Sequence, residues 1–585
     1  MRNDRNAYLV SKAMRSFVLA SSLTAAAGQL AATLDAIVLA QFIGEEAVSA
    51  LSIVLPVTTF ISCLGLLMAF GANALGAKAI GRQDLNAASA VFSTAVWSIL
   101  IVGGLFSLLI FALLPDIVRL IAEPELRELP LEYLRYYSLG AWMEMLSYAL
   151  CLFVASDGHP RRVTFAVFVG VFVNFAIDVL AVGFFEWGIR GVAIGTLAQF
   201  AVNVVLLSFY LRDASCSYRF RWPGGKGLKL LVHNVEEGLP VTISNILMAT
   251  TVFFFNMIIY NALGDRGLFF WSVCLQMLLV AVVFINGVME AIFAIGGVMV
   301  GEHDVKGFRL LAHKSLLTVT LLVVGLMVLM WIPDVVGVMF GVEDVEEMAS
   351  LNSSIRIFSF TLPFFAIVLT IVAVYQVFER VLLSVVVVVG QQALMILTVW
   401  FFASKDPSAL WWAFPLSAAF SLLVIAIYAR LHSRNLRPAV SPMLLVPFSE
   451  GGYTFDCSIP YNNTACVTDS LQEICALLER SGIDKSTVFK LRLACEELLM
   501  NIALHSKGHI IHHSFDVHVF AKDQKVTITI KDGGIPFNPI RAGKIATKVD
   551  AEENGKNLGL RIISNLNLDI SYKYMYGLNI VAIKG

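Results

Sequence analysis

Asn174 and Asp178 lie in the run VNFAIDVLAVGFF, where nearly every other residue is apolar. Four residues apart on a helix, they share one face and reach the same small volume. A carboxylate at the middle of a membrane span costs about 2.5–3.5 kcal/mol, which Leu or Val at the same place would not. The cost points to an ion or proton site turned toward the protein interior. Asp35, in LAATLDAIVLAQFIG, is a second carboxylate of this kind. Two carboxylates and an amide form a mostly oxygen cage that suits a proton or Na⁺. Neighbouring carboxylates in a poorly hydrated lobe do not both stay charged, so they hold a proton or share a cation. Gain or loss of that proton would change hydrogen bonding between helices and bias two packings of the lobe.

A second constellation lies near the C-terminus. Glu497 and Asn501, in LRLACEELLMNIALHS, share a helix face at i,i+4 and suit a water-activating base and a Mg²⁺ ligand. Asp532 stands at a strand end before Gly533 and Gly534, where backbone can approach a base and the carboxylate can accept from an exocyclic amine. LGL at 558–560 opens a helix whose N-terminal amides can face phosphate. A further intramembrane acid, Glu290 in GVMEAIF, is either a polar substrate contact or a side chain snorkelling to a water-filled cleft.

The elements that must position these groups follow from hydropathy. With 58% hydrophobic and 15% charged residues, 585 residues and a mean hydropathy of +0.77, a soluble globular protein is excluded. Twelve spans are expected, at about 16–43, 48–80, 90–114, 135–156, 163–185, 190–211, 238–262, 267–300, 314–340, 354–378, 381–402 and 408–431. Basic residues such as Arg161, Arg162, Arg212, Arg219 and Arg434 fall on one side, and acids such as Glu45, Glu46 and the VEDVEE run on the other. The positive-inside rule then places both termini in the cytoplasm of a plasma-membrane protein. AIGRQD (79–84) recurs as MVGEHD (299–304), and LDAIVLAQFIG (34–44) aligns with FNMIIYNALG (255–264), with Asn256 opposite Asp35. Such a repeat marks two lobes of six helices with a substrate between them. The eight cysteines lack zinc or disulfide spacing and are expected as thiols.

The fold class expected is therefore an all-α polytopic membrane domain plus an α/β sandwich ATP-binding domain facing the cytoplasm. The divisions are a membrane part at 10–435, with lobes of about 10–212 and 235–435, a linker at 436–455 and the ATP-binding domain at 456–585.

The membrane part resembles the multidrug and toxic-compound extrusion (MATE) family. The likeness is carried by Asp35 before the Gly44 exit, Pro56, the Gly71/Gly76/Gly81 ladder ending in GRQD, SDGHPRR at 156–162, Asn174 with Asp178, GIRGVAIGT at 188–196 and GLP at 238–240. In the family branch with a first-lobe cation site, the resemblance assigns Asp35, Asn174, Asp178 and Thr196 to that site. The tail resembles Bergerat-type (GHKL) ATPase domains, in particular anti-sigma-factor serine kinases. That likeness makes Glu497 the base, Asn501 the Mg²⁺ ligand, and Asp532, Gly534, Pro536 and Gly559 parts of the ATP pocket. His505, Phe537, Pro539 and Asn579 match as well, whereas Lys556-Asn557 stand where that family carries two glycines.

The function read from this is an antiporter that exports organic cations or amphipathic drugs against H⁺ or Na⁺. The tail binds ATP and Mg²⁺ as a regulator. A receptor whose tail is a serine kinase for a small regulatory protein is the alternative, and a lipid-linked oligosaccharide flippase a third. Small-molecule solute and membrane lipid are the expected partners, with a regulatory protein or a second copy at the tail, and no nucleic acid.

Overall fold

The computed structural model describes residues 5–122, 124–213, 216–222, 227–340, 342, 344–433, 451–461, 463–505, 514–541, 566 and 568–585. Its long apolar runs form membrane-length helices: α1 (Ala7–Phe42), α2 (Glu45–Gly81), α3 (Leu85–Ile121), α4 (Glu128–Ser156), α5 (Pro160–Phe184) and α6 (Ile189–Tyr210). The stretch Gly227–Gly301 is continuous by hydrogen bonding but breaks at Gly264, whose φ of 66° lies in the left-handed region that glycine tolerates. It therefore makes two crossings, α7 (227–263) and α8 (265–301). α9 (Val305–Met330), α10 (Val345–Val377), α11 (Val381–Lys405) and α12 (Pro407–Leu431) bring the crossings among the described residues to the expected twelve.

α1 begins at residue 7 rather than 16, and at 36 residues it is about 54 Å long against a hydrocarbon core of about 30 Å. Its first turns therefore project beyond the membrane. α1–α6 pack as one lobe and α7–α12 as the other. The lobes meet near the ends on which the C-terminal domain sits, here the tail side. The repeated glycines Gly81 and Gly301 face each other there. A Cβ on Gly81 would stand 2.1 Å from the Val298 carbonyl, and one on Gly301 2.2 Å from the Lys78 carbonyl. The repeat is conformational too: Gln83 and His303 both take positive φ, and Asp84 and Asp304 both cap the helix that follows. Across the same seam Lys78 Nζ donates to Glu379 Oε1 at 2.8 Å.

The tail is a five-stranded antiparallel sheet of order β1-β2-β3-β5-β4, formed by β1 (Tyr453–Pro460), β2 (Ser514–Lys522), β3 (Lys525–Asp532), β4 (Asp569–Met575) and β5 (Leu578–Lys584). Strand alternation sends Phe515, Val517, Val519, Ile528, Ile530 and Ile583 to one face, where they form a core with α13 (Thr464–Arg480) and α14 (Lys485–His505). The opposite face carries Asp456, Asp516, His518 and Lys531, all buried. Those polar residues are buried because the sheet lies on the tail-side ends of the membrane helices.

Candidate functional site

In the first lobe Asp35 is buried, and Asn174 and Asp178 are wholly buried. α5 departs from α-helical spacing directly after Asp178, over Val179–Phe184, with the wider turn of a π-helix, a feature common at functional sites. α6 brings Thr196 to the cluster, where its Oγ1 lies 3.4 Å from Asp35 Oδ2 while bonding Val192 O at 3.0 Å. The neighbouring Gly195 lets Asp178 approach, since a Cβ there would sit 2.0 Å from Asp178 Oδ1. Asp35 faces Asp178, Asn174 and Thr196, so the structure brings together all four predicted residues.

The set is polar and under-bonded. Among the described residues, Asp35 Oδ1, both Asp178 oxygens and both polar atoms of the Asn174 amide are buried without a hydrogen-bond partner. Buried polar atoms in that condition cost about 1–3 kcal/mol each and call for an explanation. Four oxygens and one amide nitrogen fit a proton or a hard monovalent cation.

Asp35 and Thr196 also line a central cavity of about 520 Å³ between the lobes. Phe70, Tyr148, Phe200 and Phe293 supply aromatic wall, and Glu290 stands in the same wall facing Ser21. A place in the cavity wall is compatible with both readings of Glu290.

A buried acid within a membrane span escaped the sequence reading. Glu144 on α4 is 2% exposed and accepts from the Ser62 and Tyr137 hydroxyls. Tyr137 stacks on Tyr133, with ring centroids 5.6 Å apart, and Tyr133 faces Thr196. The signal was available: Glu144 is an acid inside an expected span, at the same insertion cost as Asp178.

In the tail, Glu497 and Asn501 lie half-buried on α14, beside the positions that pack on the sheet. Asp532 closes β3, where its Oδ1 accepts from the Gly534 N–H at 2.7 Å and from Asn579 Nδ2 at 3.1 Å. Asn579 in turn donates to Ile535 O at 3.0 Å and accepts from the Tyr572 hydroxyl at 2.7 Å. Burial raises the pKa of Asp532, while these donors pull it back. A fixed carboxylate beside a Gly-Gly turn fits an exocyclic amine. The Tyr461 hydroxyl is buried close to Asp532 and Gly533, at the edge of the same turn. Pro536 is exposed just beyond the turn. Gly559, with the rest of the second glycine segment, lies outside the described residues, and so does the side chain of His505.

The sheet is fastened to both lobes. On the first lobe, Lys573 Nζ bonds Asp157 and Ser217, the Tyr576 hydroxyl donates to Ser156 O, and Lys584 Nζ reaches Gln83 O at 2.8 Å. On the second, Lys531 Nζ meets Glu302 Oε2 at 2.5 Å and His518 Nε2 donates to Glu302 O at 2.9 Å. Arg5, just before α1, inserts between the second lobe and the sheet, 2.5 Å from Asp304, 3.3 Å from Asp456 and 3.9 Å from Asp516. Asp304, Asp456 and His518 have the mutual spacing of metal ligands, but Arg5, Lys306 and Lys531 already supply the positive charge. Burial alone would raise the pKa of Asp304 and of Asp456. Arg5 and His518 reverse the sign and hold both below the ordinary aspartate value. For Asp516 burial wins and the shift is upward.

A two-lobed bundle of membrane helices with an oxygen-rich cluster in one lobe, capped by an α/β nucleotide-type domain, has the architecture of a multi-pass transporter with an attached ATPase module. Residues 20–180 match the MatE family, and residues 462–584 match the histidine kinase-like ATPase domain family. A MATE domain and a histidine-kinase-like ATPase domain are thus both present in this chain. It is 24% identical over 274 residues to the multidrug export protein MepA of Staphylococcus aureus (strain NCTC 8325 / PS 47), covering 45% of this chain and 59% of that protein. It is also 24% identical over 222 residues to MepA of Staphylococcus saprophyticus, covering 37% and 49%. The chain thus spans only about half to three-fifths of the length of these curated relatives. Among solved structures, MATE in complex with MaL6 superposes with a TM-score of 0.66 at 19% identity, over 72% of this chain and 95% of that one. An outward-facing multidrug resistance MATE transporter of the MOP superfamily gives 0.65 at 20%, over 72% and 95%. A MOP superfamily transporter from Pyrococcus furiosus gives 0.67 at 18%, over 75% and 100%. At these identities the structural likeness establishes the fold.

Proposed function

We propose that the membrane part, about 10–435, is a secondary antiporter that exports organic cations or amphipathic drugs in exchange for H⁺ or Na⁺. The observation that carries this reading is the buried set Asp35, Asn174, Asp178 and Thr196, rich in unpartnered oxygens and open to the cavity through Asp35 and Thr196. Cation binding there satisfies those oxygens and draws α1, α5 and α6 together. Cation release leaves like charges facing each other, which favours a second packing of the lobe. Solute enters a cavity with aromatic walls and the acid Glu290, a composition that suits an apolar cation. Lobes that touch on the tail side describe the state open to the opposite face. With both termini in the cytoplasm of the plasma membrane, that state is outward-facing.

The tail, about 456–585, acts in this reading as an ATP-binding regulator, with Asp532 and Gly534 holding the base and Asn501 the Mg²⁺. Bound ATP with Mg²⁺ would supply a transferable phosphoryl group and concentrated negative charge. Glu497 would accept a proton from water or a hydroxyl. The joint presence of Glu497 and Asn501 on α14 is the observation favouring the second reading, a receptor whose tail phosphorylates a serine of a small protein. The sheet face against the lobes is covered by them, so a tail-to-tail dimer would use another surface.

Efflux of a fluorescent cationic dye from vesicles under imposed H⁺ or Na⁺ gradients separates the readings. Antiport predicts gradient-driven flux that disappears in Asp35→Asn and Asp178→Asn and persists in Glu497→Ala. Absence of dye movement under any gradient, with serine labelling of a co-purified protein by the full chain, establishes the receptor kinase instead.

A further inference from the structure

We infer that the nucleotide pocket and the first-lobe cation cluster are coupled through α1, with Lys12 the positioning residue that ties the pocket's Asp532–Gly534 turn to that helix. The inference rests on the reading that the tail binds a nucleotide, and it names the route by which occupancy reaches the transporter.

Lys12 Nζ donates to the Gly533 carbonyl at 2.7 Å. Gly533 lies directly against the helix: a Cβ there would meet Leu9 Cδ2 at 3.1 Å and the Tyr8 ring at 3.8 Å. One turn earlier the helix is built into the sheet. The Asn6 N–H donates to both Asp516 oxygens at 3.0 Å, and its side-chain amide donates to Ser514 O and Oγ at 3.0 and 2.8 Å. The same Asn6 side chain caps α1 by accepting from the Tyr8 N–H at 2.9 Å. α1 therefore begins as part of the tail domain and continues as the first span.

The turn it grips is the one a purine would rest on. Asp532 is locked by the Gly534 N–H and Asn579, so a base that binds its carboxylate moves the turn as a unit. Whatever moves Gly533 then moves Lys12. α1 is hydrogen-bonded without interruption from Ala7 to Phe42. Asp35 sits on it roughly 35 Å beyond Lys12 at about 1.5 Å per residue. On the way the helix touches the second lobe, where Gly287 lies against Ser22. A stiff rod joining a ligand turn, the lobe seam and the cation cluster couples the three, and the coupling is reciprocal: cation binding must alter nucleotide affinity by the factor by which nucleotide alters cation affinity.

Reciprocity supplies the test. The dissociation constant of a fluorescent ATP analogue with Mg²⁺ is measured on the full-length chain in nanodiscs, at negligible and saturating Na⁺ and at acidic and neutral pH. Wild type, Lys12→Arg, Lys12→Met and Asp178→Asn are compared, so that any cation effect intrinsic to the pocket appears in all four. The expected result is a cation-dependent shift of at least about fivefold in wild type and Lys12→Arg, absent in Lys12→Met and Asp178→Asn. Loss of analogue binding in Lys12→Met with full binding in Lys12→Arg also supports the positioning role. A shift of equal size in Lys12→Met, or a cation-independent constant in a wild type that binds the analogue, overturns the coupling and leaves the nucleotide reading intact. A wild type that does not bind the analogue at all overturns the nucleotide reading and the coupling with it.

Discussion

Replacing Arg5 by Met should release the tail from the lobes. The Arg5 guanidinium, with its side chain 3% exposed, stands within 4 Å of three carboxylates, Asp304, Asp456 and Asp516, each at most 6% exposed. Methionine fills much of the volume but strands buried negative charge on both sides of the contact. Removing one partner of a buried ion pair typically costs about 3–5 kcal/mol. Lys531 lies 3.9 Å from Asp304, and Lys306 lies 3.6 Å from Asp456, so part of the charge stays compensated and the lower figure applies. About 3 kcal/mol lowers the docked-to-released ratio by roughly 160-fold, at 1.36 kcal/mol per factor of ten. The assay is a distance distribution by electron–electron resonance between spin labels at the exposed residues Glu479, on α13, and Arg82, on the loop after α2. Wild type should give one narrow distribution. Arg5→Met should add a broad, longer component, and Arg5→Met with Asp304→Asn should recover part of the narrow one, because the stranded charge on the lobe side, closest to Arg5, is gone. A narrow distribution in Arg5→Met would refute the reasoning, as would a double variant more released than the single.

Three further outcomes follow from the same geometry. Gly195→Ala places a methyl where Asp178 Oδ1 lies, so it should abolish gradient-driven dye flux while thermal stability of the purified protein changes little. Glu144→Leu leaves the buried Tyr137 hydroxyl without its acceptor, and Ser62 with the Thr58 carbonyl, and should destabilise the protein by about 1–3 kcal/mol, read by thermal unfolding, with Glu144→Gln costing less. Docking should also weaken in acid. Asp304 and Asp456 have folded-state pKa values below the ordinary 3.8, so their contribution is present above that value and is lost as pH falls through the lowered ones. The upward shift of Asp516 works in the opposite sense and blunts the change. Hydrogen exchange at the Gly301–Asp304 turn should therefore stay slow well down into the acid range and accelerate only below about pH 4.

The legible part of the molecule was what membrane insertion penalises. Twelve apolar runs announce twelve crossings, and Asp35 and Asp178 stand out because an acid in such a run has few other uses. Helical i,i+4 spacing fixes Asn174 and Asp178 to one face, while the grouping of Thr196 and Asp35 with them came from the family resemblance. Glu144 carried the same signal and went unread, although Ser147 and Tyr148 follow it at i+3 and i+4 on the same helix face. The docking of the tail was not legible at all. SFDVHVF and KVTITIKD alternate as strands with one wet face do, and alternation says which residues leave the core, not what covers them. His518, Asp516 and Lys531 look like solvent-facing residues until the membrane helices are placed against them. Likewise nothing local in the basic stretch MRNDRNAYLVSK tells that Arg5 will sit among three aspartates or that Lys12 will hold a glycine over five hundred positions away.

The most direct test of the exchange reading runs the cycle backwards. Proteoliposomes containing the full chain are given a steep gradient of a cationic dye and no initial ion gradient, and internal pH and ²²Na⁺ are followed. Obligatory antiport predicts that dye movement drives H⁺ or Na⁺ uphill in the opposite direction, and that Asp178→Asn abolishes this. Dye that equilibrates with neither ion moving would contradict the account.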